Sequence, residues 1–167
     1  TTGLINTYTK NFDYEIISAL NFPKKIFEMP LQQPGYYIGN LKPQIAKEVG
    51  GQTKVILCAT HDTASAVESI DMSKNAPYIS SGTWSLLGIK VEKAITDSNS
   101  QMSGYSNEGG VGYTRYQKNI MGLWIVQCLK KEIENLDFAQ MVDLAKTSNF
   151  TEIFDVNDNR FYAPQNT

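Results

Sequence analysis

The stretch that most restricts the fold runs from Lys54 through Val55-Ile56-Leu57-Cys58-Ala59-Thr60-His61-Asp62-Thr63-Ala64 to Val67. Val55 to Cys58 are apolar at successive positions, the pattern of a strand covered on both faces, as in a parallel α/β sheet. Thr63 to Ile70 opens with small residues and suits a helix pressed close to its neighbours. The join carries the chain's only histidine, His61, followed directly by Asp62. A carboxylate at the carboxyl end of a buried strand stands where open α/β sheets bind ligands. Two readings of Asp62 are open on position alone. Either Asp62 or Thr63 caps the helix, an effect worth about 1 kcal/mol. Or Asp62 takes a proton from a substrate hydroxyl, or helps hold a metal through water. His61 is equally open between structure and chemistry. Adjacency rules out a Ser-His-Asp triad, because neighbours at a strand end point in different directions.

The flanking sequence reads as mixed α/β. Asp13 is placed to cap a short helix bearing Ile16, Ile17 and Leu20, with Pro23 beyond its end. Leu31 to Leu41 reads as loop and short strand around a Pro34-Gly35 turn. Pro43 to Val49 reads as a helix with proline in its first turn and Gly50 past its end. Tyr78 to Ser81 and Trp84 to Ile89 are strand-like runs around Gly82-Thr83, a predicted hairpin. Glu92 to Gly112 is polar and glycine-bearing, and Gly109-Gly110-Val111-Gly112 within it reads as loop punctuation. A long helix is predicted from about Asn119 to Glu134, apolar almost all round in its first half and therefore deeply buried. Asp137 and Gln140 have the spacing of a capping box. Behind it Phe138, Met141, Val142 and Ala145 share one helical face.

Composition excludes several functions. With 15 basic against 17 acidic residues there is no basic excess for a nucleic-acid groove. No apolar run approaches the roughly 20 residues of a membrane span, and no signal peptide opens the chain. Cys58 and Cys128 have no CxxC spacing, which points to a reducing cytoplasm rather than a disulfide or zinc scaffold. Asn149-Phe150-Thr151 matches a glycosylation acceptor, a triplet common by chance.

Polar candidates remain. Ser80-Ser81-Gly82-Thr83 offers hydroxyls and close backbone approach, suiting either phosphate oxygens or an ordinary hairpin turn. GxxxxGK[ST] is absent, so it is not a P-loop. On the predicted helix, Gln127 shares a face with Ile120, Leu123 and Trp124, and its amide needs a partner, protein or ligand. Asn119 is either that helix's N-cap or a ligand contact. Arg115 and Lys118 read as solvated charge or as anion contacts.

Four strings, taken together in order and spacing, carry a resemblance. Thr60 to Val67 is the first, Ser80-Ser81-Gly82-Thr83-Trp84-Ser85 the second and Asn107-Glu108-Gly109-Gly110 the third. Lys118-Asn119-Ile120-Met121-Gly122-Leu123-Trp124 is the fourth. They resemble the FGGY carbohydrate kinases, which have the actin-like, ribonuclease H-like fold. Thr1-Thr2-Gly3-Leu4 and Phe154 to Asp158 also fit, so the resemblance runs the whole chain. His before Asp, and Trp after Ser-Gly-Thr, favour a member acting on L-rhamnulose over those for xylulose, glycerol or fuculose.

The resemblance implies phosphoryl transfer from ATP, with Mg²⁺, to the primary hydroxyl of L-rhamnulose or a similar ketose. It implies Asp62 as the general base, with His61, Asp62, Thr63 and Asn119 contacting the sugar. It implies Thr83 and the Gly82 backbone at the ATP phosphates and Gln127 at the nucleotide. It implies residues 1–73 as the end of a first, sugar-binding domain and 74–167 as the start of a second, nucleotide-binding one. The expected piece is an internal segment spanning the hinge. An Asp-x-Gly-x-x-Ser phosphate loop would lie before Thr1 and the adenine-binding segment after Thr167, so no kinase activity is expected of the piece alone. A kinase for another deoxy-ketose, or an actin-fold nucleotide-binding module without catalysis, are the alternatives.

Overall fold

The protein was analysed as a computed structural model, which describes residues 2–73, 75–133 and 135–162. Thr1, position 74, Glu134 and Thr167, named above as boundaries, lie outside the described residues. In chain order the elements are α1 (Tyr14–Ala19), β1 (Tyr37–Asn40), α2 (Pro43–Glu48), β2 (Lys54–Ile56), α3 (Asp62–Glu68), β3 (Pro77–Ser80) and β4 (Trp84–Val91). There follow α4 (Ser98–Met102), β5 (Tyr105–Gly109), β6 (Thr114–Met121), α5 (Trp124–Glu132) and α6 (Phe138–Thr147). Two compact units emerge: Thr1–Pro77 with Ile89–Gln117, and Tyr78–Gly88 with Lys118–Thr167. Strands β4 and β6 contribute residues to both, within a sheet of order β3-β4-β6-β5.

In the first unit the local signals do what their chemistry requires. The Asp13 side chain accepts from the Glu15 and Ile16 N–H groups, capping α1, and Ile17 behind it is fully buried. The bond from Ile16 comes first among the causes that hold the Asp13 carboxyl below its ordinary range. Gly35 turns the chain at φ +88°, and Gly50 does so at φ +76° past α2. There the Gly51 N–H returns to the Ala46 carbonyl at 2.9 Å, closing the helix end.

Two expectations change here. Strand β2 is three residues long, pairs antiparallel with β1 and leaves Ile56 exposed and Val55 half-buried. It is not the doubly covered parallel strand its run of apolar residues suggested, because among the described residues it pairs with a single neighbour in a two-stranded ribbon and none of its three residues is buried. The polar stretch after Glu92 holds α4 and β5 rather than loop alone. Asp97 caps α4 by accepting from the Ser100 N–H at 2.9 Å. The Tyr105 ring of β5 stacks on Tyr116 of β6 with centroids 4.6 Å apart.

In the second unit β3 and β4 form the expected hairpin around Ser81–Thr83. The long helix predicted from Asn119 is corrected. Asn119, Ile120 and Met121 belong to β6, and α5 begins at Trp124. Gly122 explains the break: a Cβ there would meet the Gly82 carbonyl oxygen and Ser85 Oγ at 2.4 Å. The backbone must pass close at that point before it can coil. Nor is α5 deeply buried, since Cys128 is its one buried residue while Val126 is exposed. Asp137 and Gln140 do form the reciprocal capping box, both bonds 2.8 Å long, at the start of α6.

Candidate functional site

At the start of α3 the capping role falls to neither residue the sequence proposed. His61 is the N-cap: its Nδ1 accepts from the Thr63 N–H at 3.2 Å. Asp62 occupies the first helical position, and its side chain is 96% exposed. Its Oδ1 accepts from the N–H and the hydroxyl of Thr63, the latter at 3.2 Å, and lies 3.1 Å from His61 Nδ1. Nδ1 thus faces both the Thr63 N–H and the Asp62 carboxylate, and the ring's other nitrogen, Nε2, can donate or accept according to which of the two carries the proton. Sequence positions α3 through its small residues, as Ala64 and Val67 are buried and Ser65 Oγ donates to the Ala59 carbonyl at 2.6 Å.

His61 also lines a cavity of about 380 Å³ within the first unit, together with Gln33, Thr60, Gly110, Glu108 and Arg115. Arg115 is not solvated charge but 1% exposed. Its Nη2 donates to Glu108 Oε2 at 3.0 Å, its Nε to the Gly109 carbonyl at 3.2 Å and its Nη1 to Gln117 Oε1 at 3.3 Å. Gly110 sits where a Cβ would meet the Tyr113 ring at 2.3 Å, so that glycine is a packing requirement and not punctuation. Glu108 was missed as a site residue. The signal for it was the period of two along β6, which sets Arg115 and Gln117 on one face.

In the second unit the other candidates gather at the start of α5. This helix has no side-chain cap. Instead the Leu123 N–H donates to the Gly82 carbonyl at 2.9 Å and the Trp124 N–H to the Thr83 carbonyl at 3.1 Å. Gln127 Nε2 donates to Thr83 Oγ1 at 3.3 Å, so Gly82, Thr83 and Gln127 are brought together. With its oxygen accepting, the Thr83 hydroxyl keeps its proton to give to an anion. Asn119 is exposed on β6, not a helix cap, and borders a separate cavity of about 410 Å³ with Trp84, Asn157 and Tyr162. His61, Asp62 and Thr63 belong to the first unit and Asn119, Gly82, Thr83 and Gln127 to the second.

Comparison with known proteins bears on this arrangement. The chain is 43% identical over 99% of its length to a rhamnulokinase of Oceanobacillus iheyensis, of which the match covers 36%. It is 42% identical to a rhamnulokinase of Halalkalibacterium halodurans and 37% to one of Bacillus subtilis, again over 99% of the chain. The chain resembles rhamnulokinases throughout. It spans about a third of the length of these curated relatives. No family model matches it. Among solved structures, a xylulose kinase of Lactobacillus acidophilus aligns over 88% of this chain and 30% of its own, with a TM-score of 0.67 at 20% identity. A gluconate kinase of the same organism aligns over the same shares, with a TM-score of 0.64 at 22% identity. The fold is therefore a segment of the actin-like sugar-kinase fold.

Proposed function

We propose that this chain is a segment of an ATP-dependent kinase that converts L-rhamnulose to L-rhamnulose 1-phosphate in rhamnose breakdown. The observation that carries the reading is the similarity to rhamnulokinases along 99% of the chain. The site adds a second support. Because His61 caps α3, Asp62 is left almost wholly exposed, with no bond beyond its immediate neighbours to explain its presence.

In this reading Asp62 accepts the proton of the ketose primary hydroxyl as that oxygen attacks the γ-phosphorus, and the bond from phosphorus to the ADP oxygen breaks. His61, Thr63 and Asn119 hold the sugar, while Thr83, the Gly82 backbone and Gln127 meet the nucleotide. Phosphoryl transfer depends mainly on positioning and charge stabilisation, and a general base adds about 10²–10⁴-fold. Among the described residues no group of three or more His, Cys, Asp or Glu could hold a metal. Mg²⁺ in such reactions rests largely on substrate phosphates and waters, so no step is assigned to it.

Residues 1–73 are read as the end of the sugar-binding domain and 74–167 as the start of the nucleotide-binding one. What supports this division is that His61 to Thr63 precede it and Gly82, Thr83 and Gln127 follow it. No helix among the described residues is long and apolar enough to cross a membrane, and both cysteines are free. A cytoplasmic setting belongs to the same reading, whose phosphoryl donor is ATP.

The test is ketose-dependent ADP formation by the complete kinase carrying this stretch, with L-rhamnulose, L-fuculose and D-xylulose compared. The highest kcat/KM is expected for L-rhamnulose. A higher value for another ketose overturns the substrate, and no ketose-dependent ADP overturns the class. The segment alone is expected to give no turnover.

A further inference from the structure

The wall of the His61 cavity contains a charge pair that the reaction above does not use. Arg115 is 1% exposed, and its guanidinium spends three N–H groups on Glu108, Gln117 and the Gly109 carbonyl. A buried guanidinium held at three points is a fixed clamp, since its planar fork leaves little freedom once bonded. What it clamps is Glu108, through Oε2 alone at 3.0 Å. The second carboxylate oxygen of Glu108 accepts no protein hydrogen bond among the described residues, and the side chain is 22% exposed. Glu108 and His61 line the same cavity. The cavity wall therefore combines a fixed acceptor, Glu108 Oε1, with the His61 imidazole, whose Nε2 can donate or accept. Neighbouring hydroxyls on one ligand match such a pair, because a hydroxyl both donates and accepts.

We propose that Glu108 is a ligand-binding residue of this cavity, accepting a hydrogen bond from a secondary hydroxyl of the neutral sugar, and that Arg115 is its positioning residue. This rests on the sugar-kinase reading and adds to it a specificity contact. Arg115 and Glu108 cancel in charge, so the wall suits an uncharged polyol. An anion brought against Glu108 meets like charge, and the phosphorylated product is held less tightly than the substrate.

The experiment is calorimetric titration of the complete kinase carrying this stretch with L-rhamnulose, its 3-deoxy and 4-deoxy analogues, and L-rhamnulose 1-phosphate. It uses wild type, His61→Ala, Glu108→Gln and the double variant Glu108→Gln/Arg115→Met, with circular dichroism to confirm folding. The double variant removes both charges, so no buried guanidinium is left unpaired, and it carries the test if Glu108→Gln alone does not fold. L-Rhamnulose is expected to bind about tenfold more weakly to the Glu108 variants, the scale of a lost bond to a charged group. One deoxy analogue should lose nothing further in those variants, the non-additivity of a direct contact. Wild type should prefer the free sugar to its phosphate. Equal weakening for every analogue marks a structural role and overturns the proposal. So does affinity in both Glu108 variants within twofold of wild type while His61→Ala weakens binding, a result that leaves the sugar site standing. If wild type binds no ketose, the underlying reading of the site falls with it.

Discussion

The starts of α3 and α5 carry the candidate chemistry of the two units, and they are built in opposite ways. At α3 a side chain, His61, satisfies the helix N-terminus, and the neighbouring carboxylate stays in solvent. At α5 there is no side-chain cap, and the backbone carbonyls of Gly82 and Thr83 take the Leu123 and Trp124 N–H groups. The first arrangement keeps the proposed base, Asp62, apart from the residue that caps the helix, so stability and the proposed proton transfer fall to different side chains. The second fuses them, since the turn that offers a hydroxyl to an anion is also the turn that holds the helix.

That contrast can be broken by substitution. The largest effect is expected at the fused site. Gly122→Ala puts a methyl group 2.4 Å from the Gly82 carbonyl oxygen, and a backbone neighbour cannot give way cheaply. A loss of about 3 kcal/mol, at the upper end for overpacking, should appear in denaturant unfolding. A loss below about 0.5 kcal/mol, the usual size of a surface change, would dissolve the fused picture. Next is His61→Ala, expected to cost about 1 kcal/mol as a lost N-cap, read in the same unfolding curves. Gln127→Ala removes one exposed bond to Thr83 and should cost no more than about 0.5 kcal/mol.

The smallest effect belongs to neither site and sets the background against which both are measured. The Asp158 carboxyl is drawn down to about 2, first by the side-chain bond from Arg160 and then by its backbone N–H. A depressed carboxyl contributes stability that is present above the unfolded value and lost as pH falls through the folded one. A shallow loss between about pH 4 and pH 2 is therefore expected of this half-buried group, in the window its unfolded and folded values set. Asp158→Asn should remove it when unfolding midpoints are followed against pH.

What was legible in the sequence was local. Asp13, Gly50 and the Asp137–Gln140 box act through neighbours a few residues away, and each stands as its spacing implied. Val55 to Cys58 misled because an apolar run reports what a strand could bury, not whether covering layers are at hand. Asn119 misled because Ile120-Met121-Gly122-Leu123-Trp124 is apolar enough for a helix. What stops it is the contact of Gly122 with a hairpin some 40 positions earlier, which no local period encodes. Arg115 looked like surface charge because its partner, Glu108, lies on the next strand. For the candidate site, His61 and Asp62 were found but their roles at the helix end were not, since capping depends on backbone angles rather than residue type alone.

The most direct test of the account pairs two readings of Asp62→Asn: turnover of L-rhamnulose by the complete kinase and unfolding of the same variant. Asparagine keeps the shape and removes the base. A fall in kcat of about 10²-fold or more, with unfolding free energy within about 0.5 kcal/mol of wild type, is the expected result. Turnover within tenfold of wild type would contradict Asp62 as the base. A large loss of stability would show that the carboxylate serves the helix after all.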